Sequence, residues 1–179
     1  MSDISPRAEF YQLASSQLLR AIDQLLCDYG GEPESPSKLR CDRVEQVMLG
    51  AAIGFAGKGL RGSLVIALPQ ELAARLSPMP SAGQGFNVAD WVGELSNQLL
   101  GRLKNKLVGL GVELWSGTPA VVEGQRLRLI ASRGDTVQHS ISCFGHQLCV
   151  FLEADVEAGF SLRPGEESGA AEGDTILFQ

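Results

Sequence analysis

Asp90-Trp91-Val92-Gly93-Glu94-Leu95-Ser96-Asn97 is the stretch that decides the fold, because polar and apolar residues segregate in it, and beyond it, at a helical period. At about 100° per residue, Asp90, Glu94, Asn97 and Gly101 fall within a wedge of roughly 60°, and Val88, Val92, Leu95, Leu99 and Leu103 fall opposite. The pattern predicts an amphipathic helix that lays its apolar stripe on a core and turns Glu94 and Asn97 outward. Asn87 is the expected N-cap, and Asp90 then sits in the first turn, where a carboxylate meets unsatisfied backbone N–H groups. The helix is expected to end near Leu107, with Gly109 and Gly111 beyond it.

Upstream of this helix, Val44 to Ala56 and Ser63 to Leu68 are apolar runs separated by Gly57-Lys58-Gly59. They read as two strands joined by a Gly-rich turn, closed by Pro69 and followed by a short helix from Gln70 to Leu76. Further upstream, residues 8 to 28 repeat apolar positions at helical spacing, from Phe10 and Leu13 to Leu25 and Leu26, with Pro6 before them and Gly30-Gly31 after. The Pro-, Ser- and Gly-rich segment from Gly30 to Lys38 reads as a loop. Downstream, short β-like segments span Val112–Ser116, Ala120–Val122, Arg126–Ser132, Val137–Cys143 and Gln147–Glu153. Gly124, Gly134-Asp135 and Gly145 are the expected turns. Long helices followed by consecutive strands, without βαβ alternation, predict an α+β fold in which an antiparallel sheet is flanked by long helices.

With 179 residues and 44% hydrophobic content, the chain suits one domain with a substantial core. From Glu153 onward there are seven acids and one base, which accounts for the whole net charge of -6. The first 152 residues are therefore neutral, and without a basic patch a nucleic-acid partner is disfavoured. The domain is expected over residues 1–156, and residues 157–179 read as an acidic, flexible tail whose tip, Ile176-Leu177-Phe178, is apolar. No apolar run approaches a membrane span, and the N-terminus lacks the pattern of a leader, so the chain reads as cytoplasmic.

Several chemistries are disfavoured by spacing. Cys27, Cys41, Cys143 and Cys149 form no CxxC pair and read as reduced, buried or incidental residues; a zinc site from His139, Cys143, His146 and Cys149 is not expected in strands. Lys58 sits among glycines, but the G-x-x-x-x-G-K-[ST] pattern is absent, as is a G-x-S-x-G elbow. Trp91 and Trp115 read as packing residues. Taken alone, Glu94 and Asn97 would suit an exposed polar face as well as a site, and Asp90 would serve any helix as a first-turn acid.

Asp90, three residues, Glu94, two residues, Asn97, and Pro119 after twenty-one more together resemble the signature of the CheC/CheX/FliY chemotaxis phosphatases. A single copy makes the resemblance closest to CheX-like members. The resemblance extends over roughly residues 8 to 155 and includes the Gly-rich hairpin of Ile53-Gly54-Phe55-Ala56-Gly57 through Gly62 to Pro69, with Gly101, Lys104, Thr118 and Gly124 also in place. It implies a CheC-like/CheX-like fold and a protein substrate, the phosphorylated receiver domain of a CheY-type response regulator. Asn97 would position the water that attacks the receiver's aspartyl phosphate, and Glu94 would pair with the receiver's lysine. Asp90, Gly101 and Lys104 would face the partner, while Pro119 is the structural member of the motif. The resemblance implies no cofactor or metal on this chain, with Mg2+ supplied by the receiver, and it implies a homodimer. Two other classes remain open at this point: a non-catalytic adaptor that binds a receiver or other signalling partner, and a small-molecule enzyme using Glu94 as general base in a concave pocket.

Overall fold

Residue pairs across a two-residue turn leave the chain no choice but antiparallel pairing, and this happens twice among the described residues. The computed structural model describes residues 5–34, 47–78, 87–125, 127 and 136–162. Strand β1 (Val47–Gly57) pairs with β2 (Leu60–Pro69) through Lys58-Gly59, with Gly57 opposite Leu60 and Gly59 at φ 70°. Later, β5 (Thr136–Cys143) pairs with β6 (His146–Val156) through Phe144-Gly145, both at positive φ (54° and 76°), the conformation of a type I′ turn.

The remaining elements are α1 (Pro6–Asp28), α2 (Gln70–Arg75), α3 (Val88–Val108), β3 (Leu114–Ser116) and β4 (Ala120–Gln125). The sheet order is β3-β1-β2-β6-β5, and β4 continues β3 along the same edge of β1. All the pairings are antiparallel, so the α+β expectation holds. Both long helices lie on one face, α1 over β5 and α3 over β1 and β4.

Alternation along the strands explains this layering. Ala51, Ile53 and Phe55 of β1, Leu64 and Ile66 of β2, and Leu148, Val150 and Leu152 of β6 turn to the helices and join Phe10, Leu18, Ile22, Val92, Leu99 and Leu103 in one core. The far face carries a smaller cluster of Met48, Ala67 and Cys149, with Leu127 and Phe151 against it. Helix α1 ends in a full Schellman arrangement: Gly31 N–H donates to Leu26 O (2.8 Å), Gly30 N–H donates to Cys27 O (3.0 Å), and Gly30 takes φ 72°. The pair of glycines read as the end of this helix thus supplies its C-terminal cap.

Two sequence expectations change. Gly124 lies inside β4, opposite Met48, and makes no turn. Trp115 is 66% exposed, so only Trp91 is a core residue. Phe160 is buried against Phe10 (ring centroids 5.9 Å), and Leu162 packs against the same core. The expected strand Arg126–Ser132, apart from Leu127, and the tail from residue 163 lie outside the described residues.

His139 joins α1 to β5: its Nε2 lies 3.1 Å from Ser15 O and 3.2 Å from Ser15 Oγ. Burial lowers its pKa below the ordinary value of 6.5, outweighing the hydrogen bond to Ser15 O and the charge of Asp23, which raise it. The folded state then binds fewer protons at this site than the unfolded chain, so stability rises with pH through this window. Acidification below about pH 6.5 should lower Tm more in the wild type than in His139→Gln. Equal pH profiles of Tm for the two proteins would refute this.

Candidate functional site

The candidate site is the outward side of α3, and its rigidity comes from what lies beneath. Asn87 caps the helix, its Oδ1 accepting the Ala89 N–H at 2.9 Å. Val92, Leu99, Leu100 and Leu107 are fully buried, and Trp91, Leu95 and Leu103 nearly so. Burial of about 1.5–3 kcal/mol per large apolar side chain prevents the helix from rolling on the sheet. Asp90, Glu94 and Asn97 are exposed, and Gly101 and Lys104 are partly exposed.

The two central residues differ in how they are held. Glu94 Oε1 accepts a hydrogen bond from Gln98 Nε2 at 3.0 Å. The Asn97 carboxamide has no side-chain partner among the described residues. It therefore keeps both donor and acceptor for an incoming molecule. A Cβ built on Gly101 meets nothing within 4 Å among the described residues, so packing against those residues does not require its small size. The open surface around Asn97 is thus free of any side chain at 101.

Pro119 has a defined structural role. The pairs Phe55–Ser116 and Ala52–Ala120 are out of step by one residue, so the edge strand carries a bulge between β3 and β4, and Pro119 sits there, where no ladder N–H is required. Its ring reaches α3 at Gly93, where an added Cβ would lie 3.7 Å from Pro119 Cγ and 3.3 Å from Val121 Cγ2. Gly93, not singled out in the sequence, is thus the contact between helix and bulge. Gly93→Leu should cost about 1–3 kcal/mol by overpacking, whereas Gly101→Ala should add up to about 1 kcal/mol through helix propensity. Urea denaturation measures both; a fully stable Gly93→Leu protein would contradict the contact.

The family described as chemotaxis phosphatase CheX matches the chain over residues 49–143. The CheY-P phosphatase CheX of Thermotoga maritima is 32% identical over 118 residues, covering 63% of this chain and 70% of that protein. The chain belongs to the CheX family. Solved structures share its fold. The chemotaxis protein CheX from Vibrio vulnificus aligns with a TM-score of 0.62 and 24% identity over 86% of this chain and 99% of that one. CheX in the CheX-CheY-BeF3-Mg+2 complex from Borrelia burgdorferi aligns with a TM-score of 0.55 and 18% identity over 82% of this chain and 96% of that one.

In this CheX-family chain the residues once weighed for metal binding are dispersed. His139 and Cys143 face the helices, whereas Cys149 lies on the opposite sheet face. Among the described residues no group of three or more His, Cys, Asp or Glu could hold a metal ion. Cys27 and Cys143 are free, and burial raises the Cys143 thiol pKa. Cys149 is disulfide-bonded, which corrects the expectation that all four cysteines are reduced. No helix among the described residues is long and apolar enough to cross a membrane.

Proposed function

We propose that this chain hydrolyses the aspartyl phosphate of a CheY-type receiver domain, with Asn97 orienting the attacking water and Glu94 pairing with the receiver's lysine. The observation that carries this reading is the pairing of an exposed carboxamide, without a side-chain partner among the described residues, with an exposed carboxylate three residues away on one braced helix face, in a CheX-family chain. Support also comes from the Thermotoga relative, which is named a CheY-P phosphatase.

The chemistry suits these groups. Phosphoryl transfer proceeds through a loose transition state, so catalysis consists mainly of alignment and charge stabilisation. A carboxamide can accept a hydrogen bond from water with its oxygen and donate toward a phosphoryl oxygen with its nitrogen, holding the nucleophile in line. Glu94, one turn away on the same face, supplies a fixed anion for a cationic partner. The receiver's own acids hold Mg2+, which neutralises phosphoryl charge. Asp90, Gly101 and Lys104 flank the pair as docking surface; the chain acts as a homodimer, with a CheX-like domain over residues 1–156 and an acidic tail over residues 157–179.

The open groove lined by Phe55, Arg61, Ser63, Trp115 and Glu153 includes neither Glu94 nor Asn97, and both residues stand exposed on the helix face, which favours a protein partner over a small molecule held in that groove. The test is phosphate release from Mg2+-loaded, phosphorylated receivers with and without the protein. Acceleration well above the receiver's own rate is expected for at least one receiver. Unchanged rates for every receiver from the same genome would reject hydrolysis.

A further inference from the structure

Behind Glu94, hydrogen bonds run from α3 to the end of α1. Gln98 Nε2 donates to Glu94 Oε1 (3.0 Å), and Tyr29 OH donates to Gln98 Oε1 (2.8 Å). The direction follows from chemistry. A carboxylate only accepts, so Gln98 must present its NH2 to Glu94, which leaves its carbonyl for the tyrosine proton. Tyr29 is itself fixed twice: it is the C-cap residue of α1, just before the Schellman glycines, and its ring stands edge-on to Trp91 at 5.0 Å and 85°. Beside this relay, Arg102 donates to Asp28, a second tie between the same two helices.

We infer that Gln98 and Tyr29 are positioning residues for Glu94. They hold Oε1 and leave Oε2 to meet the cation of the docking partner; this rests on the proposed pairing of Glu94 with a receiver lysine. A glutamate on an open helix face samples several rotamers, and fixing one before docking removes an ordering cost from the encounter. Asn97 takes no part in the relay. The relay therefore acts on docking, read in KM, while the water-orienting step, read in kcat, is left alone.

Tyr29→Phe removes one hydroxyl and keeps the ring against Trp91, and Gln98→Met keeps length without hydrogen bonding. Each should raise KM for the phosphorylated receiver about two- to tenfold, with kcat within about twofold of wild type. In a Glu94→Ala background the same substitutions should have no further effect on KM, because the group they position is gone. In the free protein, three-bond NMR couplings at Glu94 should move toward rotamer-averaged values in both variants. Wild-type KM in both single variants, a KM increase that persists without Glu94, or unchanged Glu94 couplings would overturn the inference. If wild-type protein hydrolyses no phosphorylated receiver, the proposed function fails on its own, and the couplings still decide whether Tyr29 and Gln98 fix Glu94.

Discussion

Asn97→Ala should slow receiver dephosphorylation by on the order of 100-fold or more while leaving receiver binding close to wild type. A well-oriented nucleophile gains its advantage from being held in line, and a methyl group at position 97 can neither accept from water nor donate to a phosphoryl oxygen. The fold should be indifferent, since Asn97 is exposed and without a side-chain partner among the described residues; surface changes of this kind fall within about 0.5 kcal/mol. Single-turnover phosphate release under saturating protein, together with a binding titration, separates the two quantities. A rate within twofold of wild type would reject Asn97 as the water-orienting group.

Glu94→Arg should act on docking. Reversing the charge sets two cations against each other where a lysine is expected, and like-charge contact at an interface costs several kcal/mol. KM should rise by about 100-fold or more, and raised salt should partly relieve the defect because the surrounding face is open to solvent. Glu94→Ala should fall between, losing the attraction without adding repulsion. The free helix should tolerate both changes, since Glu94 is exposed and bonded only to Gln98 among the described residues. Unaltered KM in Glu94→Arg would place the receiver elsewhere on the molecule. A loss of kcat with unchanged KM would instead move Glu94 into the chemical step.

The periodic parts of this chain were legible because helix and strand periods are set by backbone geometry and act on neighbours in sequence. Thus α3 was expected from Asn87 to about Leu107 and runs from Val88 to Val108 with Asn87 as its cap. The β1–β2 hairpin, the short α2 and the glycine end of α1 were legible for the same reason. Legibility failed where an outcome depends on registers between distant segments. Gly124 read as a turn residue, yet continuation of the β3 edge past the Pro119 bulge carried it into β4. Phe160 sits in an acidic, glycine-rich stretch, and only its contact with Phe10, far away in sequence, shows that the chain there is still packed.

The site divides along the same line. Spacing along one helix placed Asp90, Glu94, Asn97 and Gly101 on a common face, because residues three, four and seven apart on a helix share a side whatever surrounds it. The sequence by itself determined that face and the resemblance its residues carry. Only the tertiary structure decided that Gly101 meets no neighbour among the described residues while Gly93 is pressed against Val121 and Pro119. It alone also brought Tyr29 across 69 positions to Gln98, and through it to Glu94. The reason is physical: intrahelical neighbours follow from a fixed turn of the backbone, whereas contacts between α1, α3 and the bulged edge exist only once hydrophobic packing has set how those elements lie on one another.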